Sequence, residues 1–226
     1  MTKKFFAIAL FIGCWGVSHS QNLWSIYGGP QQTSARYKVN DSKQNVEGKW
    51  GAQLGASLKI PFENQLFFAP HAYYSLKGYK VDLKDPSFPP GADAVGNDLS
   101  VHTLELAPLL QIDLSKKPSH MFIRFGPAID IAFSGSENVK LNTGRTVEQN
   151  LKFSFSHYGR FTSSAIAHVG YESAKGLYLF GHLGYGLGSM NNADQGPKIR
   201  HNVFGISFGK YFGHNPNIID TRVIDK

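Results

Sequence analysis

The chain has 226 residues and 23 Lys and Arg against 16 Asp and Glu, and this formal charge of +7 is spread along it without a dense block. A nucleic-acid partner would call for a concentrated basic patch with base-reading motifs, so none is expected. One Cys excludes a disulfide framework within the chain, and 24 Gly, 17 Phe and 10 Tyr suit a β-rich fold with aromatic bands and many turns.

The first predicted element is a leader. Lys3 and Lys4 precede an apolar run from Phe5 to about Val17, and Ser18-His19-Ser20 then forms a small-x-small cleavage site. Residues 1–20 therefore read as a secretory signal peptide, too short for a spanning helix, which needs about 20 apolar residues. An alternative lies in "FIGC", Phe11 to Cys14, which approximates a lipoprotein box that would leave Cys14 acylated. Cleavage after Ser20 leaves 226 − 20 = 206 residues, no cysteine, and a charge of +7 − 2 = +5.

Downstream, period-two alternation recurs. Residues 22–30 form a weak strand in which either face could be apolar. In "KWGAQLGASLKI", Trp50, Ala52, Leu54, Ala56, Leu58 and Ile60 share a face. "LFFAPHAYYSLKG" and "HTLELAPLLQIDL" repeat the pattern, and in "MFIRFGPAIDIAF" the odd positions from Met121 to Phe133 are apolar while the even ones include Arg124 and Asp130. A second weak strand covers 157–172, and two glycine-rich ones follow near 177–188 and 203–212. The total is eight, an even count that closes an antiparallel barrel.

The predicted links alternate in length. Short ones lie near 61–65, 115–120 and 173–176; long polar ones lie near 31–48, 78–99, 134–156 and 189–200. Short turns at one end and long loops at the other mark a transmembrane barrel. Polarity fixes which face is which. The non-apolar face carries Gln53, Lys59, His71, Lys77, Glu105, Gln111, Asp113, Arg124, Asp130, Arg160, His168, Glu172 and His182. Unpaired charges cannot occupy an apolar core, but they can fill a polar lumen, so the apolar face must meet lipid. Aromatic residues near strand ends (Trp24, Trp50, Tyr74, Tyr79, Phe133, Tyr171, Tyr185, Tyr211 and Phe212) read as interfacial girdles.

The residue pattern thus predicts an eight-stranded antiparallel transmembrane β-barrel over 21–212, with short periplasmic turns, long outer loops and a C-terminal tail over 213–226. "LELAPLLQIDL" followed by "MFIRFGPAIDIAF", with "KGYKV" and the closing "NVFGISFGKYF", resembles the PorT-like family of outer-membrane β-barrels typical of the Bacteroidota. Members often pair an L-E-x-P-L strand with a strand containing Gly-Pro; here Ala107 intervenes before Pro108, and the tail after Phe212 departs from barrels that end on the aromatic residue. The resemblance implies location in the cell outer membrane and allows an accessory role in protein secretion.

No catalytic set emerges. Ser156 and His157, if adjacent on a strand, point to opposite faces. Ser164, His168 and Glu172 share the inner face, but residues four apart on a strand are about 13 Å apart, too far for a triad. His168 and His182 can approach across neighbouring strands, where a metal is conceivable, though such histidines more often fill a polar lumen. The expected lumen network is Glu105, Gln111, Asp113, Arg124, Asp130, Arg160, His168, Glu172 and His182. A register summing to 237 between the two central strands pairs Asp113 with Arg124; one summing to 235 pairs Gln111 with Arg124, Glu105 with Asp130, and Pro108 with Pro127. Mid-strand prolines predict a local bulge or missing ladder bonds there. The expected role is a non-enzymatic, monomeric scaffold or interaction protein without a cofactor, contacting outer-membrane lipid and engaging any protein partner through outer loops or periplasmic turns. A lipid-directed enzyme and a narrow pore are the alternatives.

Overall fold

The computed structural model describes residues 22–85 and 87–213. The predicted signal peptide, the lipidation alternative at Cys14 and the tail beyond Gly213 lie outside them.

Ten strands form: β1 (Leu23–Val39), β2 (Ser42–Lys43), β3 (Asn45–Glu63), β4 (Leu66–Asp82), β5 (Ala94–Asp113), β6 (His120–Leu141), β7 (Thr146–Asn150), β8 (Phe161–Glu172), β9 (Leu177–Gly186) and β10 (Lys198–Phe212). Eight of them, β1-β3-β4-β5-β6-β8-β9-β10, pair antiparallel in that order, and β10 pairs back onto β1 to close the ring. The short strands β2 and β7 extend β1 and β6 outside the ring.

The wall alternates as its side chains demand. Ile26, Leu54, Leu106, Phe125, Ile129, Leu183 and Phe208 are exposed on the outside, while Ser57, His71, Glu105, Gln111, Arg124 and His168 are buried within. Along β6 the outer apolar run from Met121 to Phe133 covers twelve residue steps, about 40 Å of strand, or roughly 30 Å of height at a tilt near 45°. That matches a hydrocarbon core.

The strands run further outward than the polar links suggested. The segments 31–39, 45–48, 78–82, 94–99 and 134–141, read as loop, are strand. The cause is visible in β6. Against β5 the register shifts between the pair Thr103–Ala132 and the pair His102–Ser134, so Phe133 is an extra residue in a bulge. Phe133 and Ser134 both face out, and beyond them Glu137 and Val139 point inward while Asn138 and Lys140 are exposed. Above the bilayer the polarity inverts: polar residues face water, and the inner side becomes an apolar cluster containing Tyr37, Val39, Tyr79, Val81, Leu99, Val101 and Ile199. Two girdle assignments are corrected accordingly. Tyr79 belongs to this cluster and Tyr211 to the lumen, both buried, whereas Trp24, Trp50, Phe133, Tyr171 and Tyr185 are exposed.

The outer links cap that cluster. Leu151, Tyr158 and Met190 from the 151–160 and 187–197 segments are buried in it. Gly159 N donates to Met190 O at 2.6 Å and Asn192 N to His157 O at 2.8 Å, joining the two segments. At the prolines the ladder is interrupted. Pro70 faces Pro108 across β4–β5, and in the β5–β6 register of 235 no paired residues occur between Leu106–Ile129 and Leu110–Phe125, the stretch containing Pro108 and Pro127. Proline has no N–H to donate, so the bonds are absent without a bulge.

Candidate functional site

The interior is built in levels, each set by inward positions of neighbouring strands. At the short-turn end, Lys59 of β3 places its ammonium 2.8 Å from both Asp113 Oδ2 and Glu172 Oε2. His120 Nδ1 lies 2.9 Å from Lys117 O, to which it can only donate, and its Nε2 lies 3.1 Å from Asp113 Oδ2 without a well-formed hydrogen bond. The ligand atoms of Asp113, His120 and Glu172 fall within 4.8 Å of one another, a spacing that suits a metal. The Lys59 ammonium already bridges the two carboxylates, so the site has its own cation.

One level up, Arg124 is fully buried yet pairs with no carboxylate among the described residues. Its Nε donates to Gln111 Oε1 at 2.6 Å and an Nη to Tyr211 OH at 2.7 Å. Its guanidinium stands 4.1 Å from the Phe122 ring centroid, with Tyr178 and Phe180 also within reach. Aromatic faces and neutral acceptors thus hold the charge. Gln111 passes the contact on by donating to Asp113 Oδ1 at 2.6 Å. The register of 235, rather than 237, produces this chain.

The middle holds three histidines. The Tyr27 hydroxyl lies 2.9 Å from His71 Nδ1, and Gln53 Nε2 lies 3.3 Å from His182 Nδ1. The ring of His168 is 5.5 Å from that of His71 and 6.1 Å from that of His182, packed edge to face rather than converging on one point. Above them Lys77 repeats the first motif. Its ammonium is 2.8 Å from Glu105 Oε1 and 2.9 Å from Asp130 Oδ2, between two acids that sit directly opposite one another in β5 and β6. Tyr73 OH donates to Glu105 at 2.8 Å and Ser164 Oγ to Asp130 at 3.1 Å. A cavity of about 10 Å³ beside Lys77, His168 and His182 has room for one water at most. At the top, Glu137 accepts from Tyr158 OH at 2.6 Å, Asn97 at 2.7 Å and Gln149 at 2.9 Å, and burial pushes the Tyr158 hydroxyl well above the usual phenol range.

Of the nine residues predicted for the lumen, Glu105, Gln111, Asp113, Arg124, Asp130, His168, Glu172 and His182 are buried inside the ring. Arg160 is not. It is exposed, 5.2 Å from the Phe153 ring, because β8 begins only at Phe161 and residue 160 lies outside the strand's alternation. Lys59 and Lys77 have the inner parity in the sequence, but only the folded ring reveals them as the bridges of two carboxylate pairs. The strand expected from 157 also starts at Phe161, so Ser156 and His157 lie in an exposed link. There parity does not apply, and Ser156 Oγ and Ser154 Oγ lie 3.1 and 3.2 Å from His157 Nδ1. No carboxylate is seen orienting the ring among the described residues, which leaves a surface contact without the third member a base requires. Ser164 bonds Asp130, Glu172 meets Lys59, and His168 packs its ring against His71, Phe180 and His182.

The family model described as "Outer membrane protein beta-barrel domain" matches residues 19–192. No curated protein matches. Among solved structures, OprG from Pseudomonas aeruginosa is similar at 12% identity and a TM-score of 0.49, covering 86% of this chain and 98% of that one. Ail, the attachment invasion locus protein of Yersinia pestis, in complex with sucrose octasulfate, is similar at 11% identity and a TM-score of 0.45, covering 84% and 99%. Neisserial surface protein A is similar at 15% identity and a TM-score of 0.43, covering 83% and 97%.

Proposed function

We propose that this chain, which belongs to the outer membrane protein beta-barrel domain family and resides in the cell outer membrane, acts without enzymatic chemistry as a sealed scaffold whose outer end engages another protein. The observation that carries this reading is the filling of the lumen. Two lysine-bridged carboxylate pairs, the Arg124 aromatic cage and the apolar cluster beneath the outer links occupy successive levels. Eight strands enclose only enough width for their own side chains, and here those side chains are bonded to one another.

With no passage through it, the barrel offers its surfaces. The outer links present Phe155, 97% exposed, and Phe88, half exposed against the edge of His157. Exposed aromatics at loop tips are the residue type that anchors protein interfaces. The PorT-like resemblance in "LELAPLLQIDL" and "MFIRFGPAIDIAF" supports the narrower reading of an accessory to protein secretion.

Planar-bilayer recording of the refolded protein distinguishes this from a pore. The expected trace shows no discrete steps over the membrane's own leak. Steady single-channel conductance would overturn the sealed reading.

A further inference from the structure

The closing seam between β1 and β10 carries a charge arrangement that no internal contact explains. On the outer face, Arg36 sits directly opposite Arg200 and Lys38 directly opposite Lys198, and Lys38 also faces Lys43 of β2. Like charges directly opposite one another destabilise a sheet. Among the described residues only Lys198 meets an acid, Asp41 at 3.2 Å, while Arg36, Lys38, Lys43 and Arg200 have no ionic partner. The adjoining wall of β3, β4 and β5 is matched: Asp98 pairs with both Lys49 and Lys80.

The height of the patch gives it meaning. Gln32 pairs with Trp50 and Phe204, at the outer edge of the lipid-facing band, and Arg36 lies four residues further along β1. That is about 10 Å above the edge at a 45° tilt, within a side chain's length of the headgroup layer. Arg36 leans back towards the bilayer, its guanidinium 3.8 Å from the ring centroid of Tyr185, with one Nη donating to Tyr185 OH at 2.5 Å, the other to Gly186 O, and its Nε buried. Arg36 thus supplies fixed positive charge, whereas the exposed guanidinium of Arg200 opposite it makes no hydrogen bond among the described residues and can offer paired N–H groups to phosphate oxygens, and the lysines add point charges.

We propose that the outer face of the β1–β10 seam is a binding site for the phosphate groups of an outer-leaflet glycolipid. The bound phosphates supply the negative charge that the seam's own residues lack, and they hold the closing pair of strands together where its cations would otherwise repel. The site rests on the outer-membrane location and is independent of what the outer links engage.

The test uses the whole protein folded in neutral detergent micelles, with the unfolding midpoint read by heat-modifiable gel mobility. Bisphosphorylated lipid A is expected to raise the midpoint, and lipid A stripped of its phosphates is not. The K38Q/R200Q variant removes one cation from each opposed pair without touching a hydrogen bond described here. In detergent alone it should be at least as stable as the parent, yet with lipid A it should lose at least half of the shift; R200Q alone should move the same way. K49Q, on the matched wall, should keep the full shift. An equal shift with dephosphorylated lipid A, or an undiminished one in K38Q/R200Q, would overturn the site. The same shift from millimolar inorganic phosphate would overturn the lipid as its ligand.

Discussion

Lys77→Met is expected to be the most damaging single substitution in the lumen, at about 3–5 kcal/mol, the usual cost of removing one partner from a buried ion pair. The ammonium stands 2.8 and 2.9 Å from two carboxylates that face each other across β5 and β6. Without it, Glu105 and Asp130 would repel in a site with room for one water, and one of them would have to take up a proton. Lys59 bridges an equivalent pair, but His120 stands beside both acids and can take over the positive charge. Lys59→Met should therefore cost less. Urea titration of the folded protein in lipid vesicles measures both. The triple variant K77M/E105Q/D130N separates charge from packing, because it removes all three charges at nearly constant volume. It is expected to recover most of the loss; if it were as unstable as K77M, electrostatics would not be the cause.

Gly29→Ala should come second, near 3 kcal/mol, the upper end for inserting one methyl group into a packed site. Gly29 lies on the inner side of β1 where the ring closes against β10. A β-carbon there would overlap the backbone oxygen of Ile206 and lie 2.7 Å from the Cα of Ser207. Both are backbone atoms of the partner strand, so no rotamer change relieves the contact, and the seam has to part. The paired residues of β1 and β10 already skip Gly29 and Pro30, leaving few bonds to resist. The folded fraction after refolding, read by heat-modifiable mobility, should fall sharply in Gly29→Ala. Gly91→Ala is the control, since nothing lies within 4 Å of a β-carbon there. Equal yields from the two variants would contradict this account of the seam.

Much of the ring is legible in the sequence because lipid and lumen impose opposite demands on alternate residues. Leu104 to Asp113 and Met121 to Phe133 carry that alternation without a break, and each lies within a single strand. The reading fails where the environment changes. At Phe133 a bulge shifts the phase just as the outer face passes from lipid to water, so Ser134 to Lys140 looks like a polar loop although it is strand. Tyr79 reads as a girdle residue for the same reason, yet above the bilayer the apolar residues turn inward and take it with them. Partner choice inside the lumen is less legible still. Parity puts Lys77, Glu105 and Asp130 on the inside, but their meeting depends on the registers of three strands. For Arg124 the sequence leaves Asp113 and Gln111 open as partners; the register selects Gln111, and Tyr211, Tyr178 and Phe180, which complete the cage, come from more distant strands. The basic seam was beyond reach, since Arg36 and Arg200 are brought opposite one another only by closure of the ring.

One wall serves two environments: lipid outside with polar groups inside below Phe133, and water outside above it, where an apolar cluster fills the interior around the bonded Glu137. Nitroxide labels on single-cysteine variants along β6 test this most directly, through their collisions with oxygen, which concentrates in lipid, and with a water-soluble nickel complex. Labels at Phe125 and Ile129 should respond to oxygen, labels at Asn138 and Lys140 to nickel, and a label at Val139 to neither. Nickel access at Phe125 and Ile129, or at Val139, would contradict the account.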